Sequence, residues 1–138
     1  MKVSAIMTKS TQTILPDATL EQAARKMMDY NIGLLPVVEE GRVLGAVTDR
    51  DLVIRGMAES RNPHLTIVRE VMTPLSVCCY EDQTVTEASK IMEKNHVRRL
   101  MVVDHAGRLT GVLTLTDLAL KITNEKLPGH VLHRVAGE

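Results

Sequence analysis

Apolar residues recur along the chain with two alternating periods. Leu20, Ala23, Ala24, Met27 and Met28 stand at i, i+3, i+4, i+7 and i+8, and Val85, Ala88, Ile91 and Met92 keep the same spacing. This lays one apolar stripe along each of two helices. Thr19-Leu-Glu-Gln22 and Thr84-Val-Thr-Glu87 have the form in which a threonine oxygen accepts the amide three residues on while the Gln or Glu reaches back, so each marks a helix start. The pattern predicts helix ends near Asn31 and Asn95. Leu34-Leu-Pro-Val-Val38 and Leu100-Met-Val-Val103 are short apolar runs suited to buried strands. Polar turns follow at Glu39-Glu-Gly41 and Asp104-His-Ala-Gly107, and then Val43 to Thr48 and Leu109 to Thr114 read as second strands of two hairpins. Further helices are predicted over Asp49 to Met57 and Leu115 to Ile122, and brief extended stretches over Gln12 to Leu15 and Val77 to Tyr80.

The two halves of this list are copies. Val3-Ser-Ala-Ile-Met-Thr8 lies over Val68-Arg-Glu-Val-Met-Thr73 at an offset of 65, which also places Asp17, Ala23, Met27 and Leu35 over Asp82, Ala88, Met92 and Leu100. One inserted residue near His105 raises the offset to 66, and Gly45, Thr48 and Asp51 then fall on Gly111, Thr114 and Asp117. Two units are too few for an open solenoid, so a closed pair is expected. The predicted class is α/β of the α+β type: two β-α-β-β-α units packed on each other about a pseudo-twofold axis. The expected limits are 1-60 for the first unit, 61-67 for a linker, 68-123 for the second unit and 124-138 for a loose tail.

Composition narrows the function. The chain of 138 residues is 44% hydrophobic and can bury roughly two-thirds of its unfolded surface, so no cofactor, disulfide or metal is required for a core. Seventeen basic residues balance 17 acidic ones, and two tyrosines with no Phe or Trp leave little for bases to stack on. Nucleic acid is therefore not expected as a partner. No apolar run approaches the roughly 18 residues of a membrane span, and Met1-Lys2-Val3-Ser4 begins no signal peptide, so no membrane partner and a cytoplasmic location are expected. No Walker loop, nucleophile elbow, His-Glu-x-x-His or dinucleotide fingerprint occurs, and an enzyme is not expected.

The chemistry concentrates where the second strand of each hairpin meets its helix. Gly45-Ala-Val-Thr-Asp-Arg-Asp51 and Gly111-Val-Leu-Thr-Leu-Thr-Asp117 share Gly-apolar-apolar-Thr-x-x-Asp. The glycine permits close approach of another backbone or a ligand. Thr48 and Thr114 present hydroxyls beside free helix amides, where an anion such as phosphate is favoured. Asp51 and Asp117 offer two oxygens to the paired hydroxyls of a ribose. A plain N-cap with an acidic first turn explains Thr and Asp as well; the joint recurrence of all three residues in both copies favours a ligand.

The duplicated unit, with Leu35-Pro-Val-Val38 on the first hairpin strand and Gly-x-x-Thr-x-x-Asp after the second, resembles a CBS domain, and residues 1 to 122 resemble a stand-alone prokaryotic tandem pair, or Bateman module. The resemblance implies that the two units pack through their sheets and leave two clefts binding AMP, ADP, ATP or S-adenosylmethionine; it also implies a homodimer, and an unidentified effector protein as the partner that receives the signal. It further implies that Asp51 and Asp117 take the ribose, that Thr48 and Thr114 help hold phosphate, and that Thr13, Ile14, Cys78, Cys79, Pro36 and Met101 lie near the base. With so few aromatics, the base would be clamped by aliphatic and methionine side chains. Arg50, Arg55, Arg98 and Arg99 are phosphate candidates, because a guanidinium suits bidentate phosphate contact; solvated surface charges are the alternative. Two other functions remain open: a ligand-free dimerisation scaffold, and a thiol or metal sensor using Cys78 and Cys79. Against the sensor, no paired-ligand spacing such as Cys-x2-Cys is present, adjacent strand residues point to opposite faces, and His130-x-x-His133 sits in the tail.

Overall fold

The computed structural model describes residues 1–9, 11–75 and 77–126, the side chains of 122–126 excepted. The tail from Leu127, with His130 and His133, lies outside the described residues. The chain divides into two compact units, and each draws on both sequence repeats.

The first unit comprises Thr11–Ser76 with Gly107–Leu109. Helix α1 (Leu20–Tyr30) starts where its capping box predicts: Gln22 N donates to Thr19 Oγ1 at 3.2 Å, and Thr19 N donates to Gln22 Oε1 at 2.8 Å. It stops at Asn31, whose left-handed backbone (φ 52°) suits a residue that tolerates that region. Strands β1 (Leu34–Glu39) and β2 (Arg42–Thr48) pair antiparallel, from Leu34 opposite Thr48 to Glu39 opposite Arg42. A third strand, β3 (Thr73–Pro74), pairs with β2 at Gly45 and Ala46, giving the order β1-β2-β3. Ile14 bridges in parallel to Val37. After β2 comes a short helical turn, α2 (Asp49–Asp51), which widens into a π-helical segment over Leu52–Met57. The expected helix is thus present with a looser pitch, and Gly56 is buried there against Leu20.

The second unit draws on Met1–Ser10, Val77–Ala106 and the chain from Thr110. Strand β4 (Cys78–Tyr80) runs parallel to β5 (Arg99–Val103), with Cys78 opposite Met101 and Cys79 opposite Val102. The sheet order is β4-β5-β6, with β6 at Leu109–Thr114. Helix α3 (Val85–Asn95) carries the second capping box and ends at His96 in the left-handed region. Helix α4 (Leu115–Lys126) follows β6 and runs four residues beyond the predicted Ile122.

Each unit buries its own core. Ile14, Leu20, Ala23, Met27, Leu35, Val37 and Val47 pack with Val68 and Val71 in the first. Val3, Cys79, Ala88, Met92, Leu100, Val102, Leu113 and Leu118 pack in the second. The leading segment of each repeat therefore serves the other repeat's core. The backbone repeats this exchange: Val68 N donates to Ala18 O at 2.8 Å, as Val3 N donates to Gln83 O at 2.9 Å. The α1 stripe is narrower than its spacing predicts, because Ala24 and Met28 are exposed. The class is α+β, and among the described residues no helix is long and apolar enough to cross a membrane.

Candidate functional site

The two Gly-x-x-Thr-x-x-Asp junctions fold alike. Asp51 N donates to Thr48 Oγ1 at 3.1 Å while Thr48 N donates to Asp51 Oδ2 at 3.0 Å; in the second copy the distances are 3.0 Å (Asp117 N to Thr114 Oγ1) and 2.9 Å (Thr114 N to Asp117 Oδ2). Each aspartate thus closes its own helix N-terminus. In both copies Oδ2 accepts the backbone amide of the cap and Oδ1 takes no part in it, so each carboxylate keeps acceptor capacity beyond its cap. The glycines answer to backbone. A β-carbon at Gly45 would stand 2.3 Å from Thr73 O, and one at Gly111 would stand 2.7 Å from Thr8 O.

At the second junction, Arg98 just before β5 and Arg99 at its start join Thr114 at the end of β6 and Leu115, Thr116 and Ala119 in the first turns of α4 around a cleft of about 590 Å³. Leu115 N donates to Arg98 O at 2.8 Å, which fixes the strand end against the helix start. Two exposed guanidinium groups, two hydroxyls and a helix N-terminus form an anion-receptive set. The first junction keeps the same backbone frame, with Asp49 N donating to Gly33 O at 3.0 Å, but its side chains differ.

Other expected site residues lie elsewhere in their units. Thr13 and Ile14 line a cleft of about 680 Å³ with Leu15, Asp17, Lys26 and Glu40. Ile14 N donates to Pro36 O at 3.0 Å, and Lys26 Nζ donates to Thr13 O at 2.5 Å. Pro36 and Met101 are both buried in their sheets. Cys78 is half-buried and Cys79 fully so; burial, aided by the neighbouring Cys78, pushes the Cys79 thiol up to about 11. Arg50 is exposed. Arg55, a phosphate candidate from sequence, instead turns its guanidinium to the carbonyls of Val71 (3.4 Å) and Met72 (3.2 Å) and lies 3.9 Å from Asp51 Oδ1.

Sequence reasoning missed three features. Lys26 holds the Thr13 carbonyl, and Thr116 lines the cleft of the second junction. In the second unit Tyr80 stacks on His105, with ring centroids 4.4 Å apart, and His105 Nε2 lies 2.8 Å from Asp82 Oδ2. The single insertion at His105 was the available signal for this cluster. Among the described residues, no three His, Cys, Asp or Glu side chains gather to hold a metal ion.

The sequence profile of the CBS domain matches residues 3–57 and 68–124. CBS domain-containing protein YhcV of Bacillus subtilis is 34% identical over 134 residues, 97% of this chain and 94% of that protein. Among solved structures, the CBS domain pair of protein MJ0100 in complex with 5′-methylthioadenosine and S-adenosyl-L-methionine has a TM-score of 0.79 at 26% identity, covering 91% of this chain and 98% of that one. Hypoxic Response Protein I, solved with two coordinated zinc ions, has a TM-score of 0.77 at 30% identity, covering 86% and 97%.

Proposed function

The chain belongs to the CBS domain family as a tandem pair, and from that premise we propose that it is a regulatory module, rather than an enzyme, that binds an adenosine-containing ligand. The observation that carries this reading is the second junction, where Arg98, Arg99, Thr114 and Thr116 surround one cleft beside the capped Asp117. Arginine forks and hydroxyls at a helix start suit phosphate oxygens, and the remaining carboxylate oxygen Oδ1 of Asp117 suits a ribose hydroxyl. Support comes from the 26%-identical CBS pair that holds two adenosyl compounds. Cys78, Cys79 and Met101 are assigned to the surroundings of the base in the second unit, and Thr13, Ile14 and Pro36 to the corresponding place in the first. The module works in the cytoplasm as a homodimer and passes its signal to a separate effector protein. The ligand acts by preferring one arrangement, and it moves the equilibrium only as far as that preference.

Isothermal calorimetry with AMP, ADP, ATP and S-adenosylmethionine tests the reading on the whole chain. Binding of at least one of them, weakened tenfold or more by Arg98→Ala with Arg99→Ala, is the expected result. No heat from any of the four at millimolar concentration would leave a ligand-free scaffold as the function.

A further inference from the structure

The two junctions share a backbone and differ in charge. The residues around the second cleft, Arg98, Arg99, Thr114, Leu115 and Thr116, correspond through the repeat to Gly33, Leu34, Thr48, Asp49 and Arg50. Both frames close with the same strand-to-helix hydrogen bond, Leu115 N to Arg98 O at 2.8 Å and Asp49 N to Gly33 O at 3.0 Å. The closure of strand on helix is thus the same in both copies, and the side chains around it differ. Where the second copy starts the Arg98 side chain, the first has a glycine, and a β-carbon there would stand 2.8 Å from Asp49 Oδ2. The Asp49 carboxylate occupies the place from which the arginine departs in the other copy.

Its position is held rather than incidental, because Arg50 N donates to Asp49 Oδ1 at 2.8 Å. The formal charges of the corresponding sets follow from the sequence: Arg98 and Arg99 bring two positive charges, whereas Asp49 and Arg50 cancel. Arg55 does not alter the comparison, since the repeat places the cation Lys121 at the corresponding position of the second copy. A phosphate brought to the first junction would meet a carboxylate where the second junction offers a guanidinium, and like charges at short range repel.

We propose that Asp49 is a specificity-determining residue that, with Gly33, bars phosphate from the first junction, so that phosphate-bearing adenosine ligands bind at Arg98 and Arg99 alone, once per chain. This rests on the adenosine-ligand reading and refines it. The first junction is left to adenosine compounds whose distal group is uncharged or cationic. The selectivity is electrostatic and acts across the surface, so it weakens as salt is raised.

The experiment is calorimetry on the whole chain with two probes, AMP and adenosine, using wild type, Asp49→Asn, Asp49→Leu and Arg98→Ala with Arg99→Ala. Wild type is expected to take one AMP per chain. Asp49→Leu, which installs the second copy's residue, should add a second AMP event or tighten a weak one at least tenfold. Asp49→Asn removes the charge with the shape kept and should move in the same direction, which guards against a folding defect in the leucine variant. The double arginine variant should lose the wild-type AMP event and keep adenosine binding. Two AMP molecules of equal affinity on wild type, or unchanged AMP binding in both Asp49 variants, would overturn the proposal while leaving the adenosine reading intact. No binding of AMP to wild type would overturn the proposal, and the adenosine reading would fall with it only where ADP, ATP and S-adenosylmethionine also gave no heat.

Discussion

Gly45 lies directly under the carbonyl oxygen of Thr73, so close that a methyl group on its α-carbon would stand 2.3 Å from that oxygen. The neighbouring atoms are backbone of β3, which pairs with β2 at this point, and backbone cannot rotate away as a side chain can. Gly45→Ala is therefore expected to cost about 1–3 kcal/mol, the usual range for overpacking. Gly111→Ala meets Thr8 O at 2.7 Å and should fall in the same range. Urea denaturation curves of the two variants measure both costs. An unshifted midpoint for Gly45→Ala would show that β3 is not held against β2 in solution.

That pair also marks what could and could not be read from the chain. The glycines, threonines and aspartates of the junctions were legible because the cap is a local device, closing over three residues, and the repeat displayed it twice. Helix starts at Thr19 and Thr84 were legible for the same reason. The exchange of leading segments was not. Hydrophobicity says that Val3 and Val68 are buried, but it is blind to which copy buries them, and the structure gives Val3 to the second core and Val68 to the first. The π-helical pitch of Leu52–Met57 was equally hidden, since apolar spacing over six residues does not separate it from an α-helix. The partners of Arg55 and Lys26 are backbone carbonyls 13 or more positions away, and no composition or motif announces such contacts.

The reciprocal cap gives Asp117 a stabilising role before any ligand binds. Thr114→Ala removes the acceptor of the Asp117 amide and should cost about 1 kcal/mol in the ligand-free protein. Asp117→Ala removes the acceptor of the Thr114 amide and should cost a similar amount, about 1 kcal/mol. The two differ on adding AMP: the rise in thermal midpoint seen with wild type should shrink in Thr114→Ala and vanish in Asp117→Ala. Thermal melts with and without AMP separate the two roles. A fully retained AMP-induced rise in Asp117→Ala would confine that residue to capping.

Asp82 and His105 form an exposed pair that titrates. The hydrogen bond to Asp82 and the charge of that carboxylate raise His105 above its ordinary 6.5, with Asp104 and Glu81 acting the same way. The hydrogen bond from His105 lowers Asp82 below its ordinary 3.8, with His105 and Lys2 adding favourable charge. The histidine's contribution is complete below pH 6.5 and is lost as pH rises through its raised value. The aspartate's contribution is complete above pH 3.8 and is lost as pH falls through its lowered value. The pair is therefore intact between about pH 4 and 6.5. An NMR titration of the His105 ring should show its midpoint above 6.5 in wild type and a lower midpoint in Asp82→Asn. Identical midpoints would mean that the pair does not persist in water.

The two cysteines should differ sharply in reactivity although they are neighbours. On β4 successive side chains point to opposite faces, and the structure buries Cys79 at 1% exposure in the second core while leaving Cys78 half-buried. The nucleophile is the thiolate, and with the Cys79 thiol pushed up to about 11, only on the order of one molecule in a thousand carries it at pH 8. Burial restricts access further. Iodoacetamide at pH 8 followed by peptide mass spectrometry should therefore label Cys78 in the native protein and reach Cys79 only when urea opens the core. Cys79→Ser should lower the urea midpoint by burying a hydroxyl among apolar side chains, at a cost of about 1–3 kcal/mol, whereas Cys78→Ser should leave it nearly unchanged. Equal labelling of both residues in native protein would contradict the burial of Cys79 and reopen a thiol-sensing role for the pair.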